Sequence, residues 1–143
     1  MEDSGLFTRW RDPVSGVESF LLNRRVAPIQ QSFYFTNPSF SDDGRYLWFY
    51  IAFPPGGDAY YGRQLAVADF QADTVRHFAD TQFMDASPYV DAETGRVYWT
   101  TGLEIWSRGA DEAEPARLVG SFPEELARHR RPLRIATHLT RSP

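Results

Sequence analysis

The chain contains no cysteine. That excludes disulfides, thiolate metal sites and a cysteine nucleophile. It also contains no lysine: all 15 basic residues are arginine. A GC-rich coding sequence accounts for such a bias. A functional counterpart is the planar guanidinium fork, which grips carboxylates in a bidentate manner. The formal net charge of −4 and the pI near 5.3 argue against nucleic acid as a partner. The first residues, Met1-Glu2-Asp3-Ser4-Gly5, are acidic and form no apolar run. Neither a secretory signal peptide nor a membrane-spanning helix is expected, and a cytoplasmic location follows. No glycine-rich phosphate loop, nucleophile elbow or Ser-His-Asp arrangement is visible.

What the chain has in abundance is a repeated strand-turn-strand pattern. Asn37-Pro38-Ser39-Phe40-Ser41-Asp42-Asp43-Gly44-Arg45-Tyr46-Leu47-Trp48 comes back as Ser87-Pro88-Tyr89-Val90-Asp91-Ala92-Glu93-Thr94-Gly95-Arg96-Val97-Tyr98-Trp99. The start of a third copy stands at Thr137-His138-Leu139-Thr140-Arg141-Ser142-Pro143. Pro38 and Pro88 lie 50 positions apart, and Ser41 and Ser142 lie 101 apart. Gly44 and Gly95 lie 51 apart, which reads as one extra residue in the second turn. Strand repeats of roughly 40–50 residues are typical of β-propeller blades.

The expected fold is therefore all-β: a partial β-propeller of about three four-stranded antiparallel blades, the last incomplete. An N-terminal hairpin occupies 1–32, with strands Leu6–Arg11 and Val17–Leu22 around the turn Asp12-Pro13-Val14-Ser15-Gly16. Blade one covers 33–84. Phe33-Tyr34-Phe35-Thr36 leads into its inner strand, Arg45–Phe53 and Gln64–Phe70 form strands, and Thr74–Phe78 follows a turn at Ala72-Asp73. Pro54-Pro55-Gly56-Gly57 breaks the chain between the second and third strands.

Blade two covers 85–132, with strands Ala86–Val90, Arg96–Thr100, Leu103–Arg108 and Ala116–Val119. A short helix follows, capped by Ser121 and ending near His129. Blade three starts at 133 and stops at 143. Closed propellers have about 4–8 blades. An arc this short implies further blades, or self-association at its open edges.

The order Trp10-Arg11-Asp12-Pro13-Val14-Ser15-Gly16-Val17, then Tyr34-Phe35, then Phe40-Ser41-Asp42-Asp43-Gly44-Arg45-Tyr46-Leu47-Trp48-Phe49 resembles the N-terminal portion of oligogalacturonate lyases. Leu65-Ala66-Val67-Ala68-Asp69-Phe70 through Arg76 is similar to a strand of the same family. These are β-propeller enzymes with TolB-like repeats that degrade pectin fragments. The resemblance implies β-elimination next to a uronate, an acidic oligosaccharide as partner, and a manganese-like divalent metal held by His and Gln. Such a metal neutralises the carboxylate and acidifies the α-proton for a base. None of those ligands is matched in this chain, so no metal ligand and no catalytic base is assigned. An alternative is a non-catalytic TolB-like propeller that serves as a binding or scaffold module.

The repeat places Asn37, Ser87 and His138 in one slot, at the start of the inner strand. With Tyr34 they are the substrate-contacting candidates. A lone His138 does not make a metal site, which needs three or more converging ligands. Arg24-Arg25 and Arg128-His129-Arg130-Arg131 read as solvated charge, with a uronate as the functional alternative. His77 reads as surface. Tyr60-Tyr61 read as loop packing before sugar stacking, and Trp48, Trp99 and Trp106 as core between blades.

Overall fold

The computed structural model describes residues 3–83 and 88–128. The fold is all-β, with three antiparallel sheets among the described residues. A two-stranded sheet pairs β1 (Phe7–Arg11) with β2 (Glu18–Leu22). Sheet one is a meander of β3 (Ile29–Gln31), β4 (Tyr46–Ala52), β5 (Arg63–Asp69) and β6 (Thr74–Phe83). Sheet two repeats it with β7 (Tyr89–Asp91), β8 (Arg96–Thr101), β9 (Glu104–Arg108) and β10 (Arg117–Ser121). No helix among the described residues is long and apolar enough to cross a membrane. The start of the third repeat at 133–143 lies outside the described residues.

Two apolar layers hold the sheets together. Side chains alternate across a strand, so β4 sends Trp48 and Tyr50 to one side and Phe49 and Ile51 to the other. Trp48, Tyr50, Leu65, Val67 and Phe78 pack against Val90, Val97 and Trp99 of sheet two. Phe49, Ile51, Ala66 and Ala68 pack against Leu6, Phe7, Leu22, Val26 and Ala27 at the base of the hairpin. Polar ties cross the stack as well. The Trp48 indole Nε1 donates to the Gly95 carbonyl at 2.9 Å, and the Asp42 amide donates to the Ala92 carbonyl at 2.8 Å.

The structure changes four local expectations. First, the turn that enters β4 and the β7–β8 turn are equally long. Phe40 bridges Leu47 and Val90 pairs with Val97, so both pairs close on the same number of residues. The glycine has moved one place within the turn, and no residue has been inserted. Both glycines keep positive φ, 67° at Gly44 and 68° at Gly95, which is why each turn carries one.

Second, the first strand of sheet one starts at Ile29, ahead of the Asn37 start expected for the inner strand. Ile29 pairs with Ala52 and Gln31 with Tyr50, then the chain loops out and returns at Phe40 opposite Leu47. Third, β6 is longer than the expected Thr74–Phe78. Arg63 pairs with Phe83 but Leu65 with Phe78, so two steps along β5 match five along β6. The surplus forms a bulge, pinned by buried Thr81, whose Oγ1 donates to the Phe78 carbonyl and accepts from the Leu65 amide.

Fourth, no α-helix starts at Ser121. Ser121 pairs with Glu104 as the last residue of β10, so it is not free to cap. A five-residue 3-10 helix, Glu124–Arg128, follows, with the Leu126 amide on the Pro123 carbonyl at 3.0 Å.

Candidate functional site

The looped-out segment 32–39 lies at the β3 edge of sheet one and is largely exposed. Three contacts explain its shape. Phe33 is buried and packs its ring 4.8 Å from that of Tyr50. The Asn37 amide nitrogen donates to the Tyr34 carbonyl at 2.9 Å and closes a turn. Asn37 Nδ2 reaches sheet two and donates to the Pro88 carbonyl at 3.0 Å. With both ends tied, the residues between them cannot fold back. Tyr34 is 56% exposed and Phe35 84%, their ring centroids 4.4 Å apart. Two adjacent exposed rings on an anchored loop make a platform for the apolar face of a sugar or another flat ligand.

Of the four candidates read from sequence, the structure describes two, and it brings them together. Tyr34 and Asn37 lie in the same loop, Tyr34 outward and Asn37 as a half-buried tie between sheets. Asn37 Oδ1 accepts from Thr36 Oγ1 at 3.0 Å, so the amide is engaged at both ends. Ser87 and His138 lie outside the described residues.

Among the described residues, Arg45, Arg76, Arg96 and Arg108 pair with carboxylates. Arg45 grips both oxygens of Asp69, at 3.0 Å through Nε and 2.9 Å through Nη2. Asp69 also accepts the Gln71 and Ala72 amides, and Arg76 approaches it at 3.7 Å. Burial pushes the Asp69 carboxyl up. The Arg45 fork and the Ala72 and Gln71 amides outweigh it, so the group sits below the usual aspartate range.

Arg96 pairs with Glu114 at 2.7 Å, and Arg108 with Asp80 at 2.6 Å. Arg108 is buried, stands 3.4 Å from the Phe78 ring centre, and donates to the Asp111 and Glu114 carbonyls. Burial pulls its guanidinium below the usual value, against the Asp80 charge that raises it. Arg25 spends one nitrogen on the Pro28 carbonyl at 2.7 Å. Arg24 borders an open groove of about 340 Å³ with Gly5, Leu6, Asn23 and Asp73.

His77 is exposed on the outer strand β6, with its ring 5.5 Å from Phe53. Tyr60 and Tyr61 are exposed at 72% and 58%, and the Asp58 carboxylate holds both of their amides. Their loop closes where Gly57 and Gly62 cross: a Cβ on Gly57 would stand 2.6 Å from the Gly62 carbonyl oxygen. Trp48 and Trp99 are buried between the sheets, and Trp106 packs at the margin.

No three His, Cys, Asp or Glu side chains converge among the described residues. His77 is the one histidine among them, and it stands on the outer strand. The described residues therefore do not fit a His-and-Gln metal centre.

Comparison of the chain with protein-family models, with curated proteins and with solved structures found no match.

Sequence reasoning missed the Asp69 hub, the Asp80–Arg108 clasp and a cavity beside Trp106. Asp69 was legible only as the end of an alternating strand. Asp80 carries no signal at all, because a three-residue surplus in an outer strand has no signature in the residues that form it.

Proposed function

We propose that this chain is part of a β-propeller of the oligogalacturonate-lyase type, acting on acidic oligosaccharide in the cytoplasm. The described residues supply scaffold and one aromatic wall. The elimination chemistry, with its manganese-like metal, belongs to residues other than these. The observation that carries the reading is the anchored loop. Two consecutive meanders stack front to back, and the β3 edge of the first projects Tyr34 and Phe35 into solvent beside the tie made by Asn37. In propellers the inner strands border the central channel.

Titration of the 143-residue chain with oligogalacturonate and with a neutral oligosaccharide of equal length, followed by calorimetry, tests this. Acidic sugar is expected to bind, and Tyr34→Ala with Phe35→Ala to weaken it about tenfold or more, since ring stacking contributes on the order of 1–3 kcal/mol per contact. Equal binding by the double variant overturns the assignment of the wall. Incubation with oligogalacturonate and manganese should produce no unsaturated product. Turnover in that assay would place the catalytic centre within this chain after all.

A second reading, a non-catalytic TolB-like binding or scaffold module, draws support from the arginines. Arg45, Arg96 and Arg108 are committed to Asp69, Glu114 and Asp80, so their charges hold the scaffold. Sugar binding without a preference for the acidic ligand would favour this module.

A further inference from the structure

At the outer side of the stack lies a cavity of about 320 Å³, lined by Ala79, Asp80, Trp99, Thr101, Glu104 and Trp106. Its walls come from different sheets, for identifiable reasons. In sheet two, Trp99 pairs with Trp106 and Thr101 with Glu104, so all four project from one face. In sheet one, the bulge of β6 carries Ala79 and Asp80 across to meet them. Both indoles line the cavity, Trp99 buried and Trp106 half-buried.

The polar groups are held in place. Trp106 Nε1 donates to Glu104 Oε2 at 2.9 Å, which fixes indole and carboxylate together. That bond neutralises none of the Glu104 charge. On the opposite wall Asp80 is oriented by Arg108 at 2.6 Å and by the Ala116 amide at 3.3 Å.

We propose that this cavity binds an organic monocation, an alkylated ammonium group seated against Trp106 above Trp99, with Glu104 as its counter-charge. Indole faces attract cations through their quadrupole, and a quaternary ammonium suits them because its shell is apolar. A uronate would meet two carboxylates here and be repelled. A divalent metal needs more converging oxygen or nitrogen ligands than the two carboxylates supply. The proposal is independent of the sugar reading, because the aromatic loop is on the β3 edge of sheet one and this cavity is at the β6 edge.

The probes are choline and its uncharged isostere 3,3-dimethylbutan-1-ol, titrated into the full chain by calorimetry, with the indole N–H resonances followed by NMR. Choline is expected to bind saturably and about tenfold or more tighter than the isostere, within the range of a desolvated cation–π contact plus a counter-charge. Glu104→Gln keeps the shape and should weaken choline by about tenfold while leaving the melting temperature in place. Trp106→Ala should abolish binding. If that variant unfolds, Trp106→Phe is the second test, expected to weaken choline while retaining the fold. Absence of saturable choline binding, equal affinity for the isostere, or full affinity in Glu104→Gln overturns the proposal.

Discussion

The two four-stranded sheets follow the same path yet present different faces to their surroundings. Phe40–Leu47 and Val90–Val97 set the structural step between them at 50 residues. On that step Trp48 corresponds to Tyr98, Phe49 to Trp99 and Tyr50 to Thr100. The two tryptophans that look alike in sequence are therefore not equivalent. Trp48 points from sheet one toward sheet two, and Trp99 points back from the position held by Phe49. Sheet two meets sheet one with the face that sheet one turns to the hairpin, which is front-to-back stacking.

The face that sheet one turns to this contact and its equivalent in sheet two differ in kind. Trp48, Tyr50, Leu65 and Val67 in sheet one become Tyr98, Thr100, Ile105 and Ser107 in sheet two. The same backbone ladder serves an apolar face once and a mixed, hydroxyl-bearing face the next time. A strand meander thus specifies the layer but not its chemistry.

That contrast can be broken by substitution. The largest effect is expected at Trp48, which has no exposed surface and a hydrogen bond to Gly95. Trp48→Ala should cost about 3–5 kcal/mol by urea unfolding, the range for emptying a buried aromatic site. Tyr98→Ala, at the corresponding half-buried position, should cost about 1–2 kcal/mol. Equal losses would mean that the two faces are equally built in.

Next in size is the carboxylate hub. Asp69→Asn removes the partner of the Arg45 fork at a buried site. The full loss of a buried pair is about 3–5 kcal/mol, but Arg45 is 38% exposed and solvent screens it, so about 1–3 kcal/mol is expected. Glu114→Gln beside sheet two, where the carboxylate is 37% exposed against 2% for Asp69, should cost about 0–1 kcal/mol. The Asp69 carboxyl sits below its ordinary value of 3.8. Its contribution is therefore complete above that value and lost as pH falls through the lower, folded one. An acid titration of stability should show a steeper limb in the parent than in Asp69→Asn. Coincident limbs would remove Asp69 from the account.

The smallest difference separates the two turn glycines. A Cβ on Gly44 meets nothing within 4 Å, so Gly44→Ala should cost only the positive-φ strain, about 1 kcal/mol. A Cβ on Gly95 would stand 2.9 Å from the Tyr46 ring, so Gly95→Ala should cost about 2 kcal/mol by thermal unfolding. Identical shifts would show that the Tyr46 contact yields freely.

Much of the fold was legible in local sequence. The turn at Asp12-Pro13-Val14-Ser15-Gly16 joins β1 and β2 as read, since the Asp12 carboxylate accepts the Val14 amide and Ser15 hydroxyl and Gly16 takes positive φ. Alternation picked out β5, and aromatic density picked out β4. Of the candidate site, Tyr34 and Asn37 were found, but not that Asn37 ties the sheets while Tyr34 faces outward.

The sequence by itself determined the hairpin, the β4–β5 and β8–β9 strands and the repeat between the two sheets, because turn chemistry and side-chain alternation act over a few residues. Only the tertiary structure decided which tryptophan faces which sheet, where Ile29 joins the ladder, and how Asp80 reaches Arg108. The reason is the period of two along a strand. A glycine moved by one place leaves the local signal intact but flips every side chain aligned on it, and only the distant partner strand selects the register.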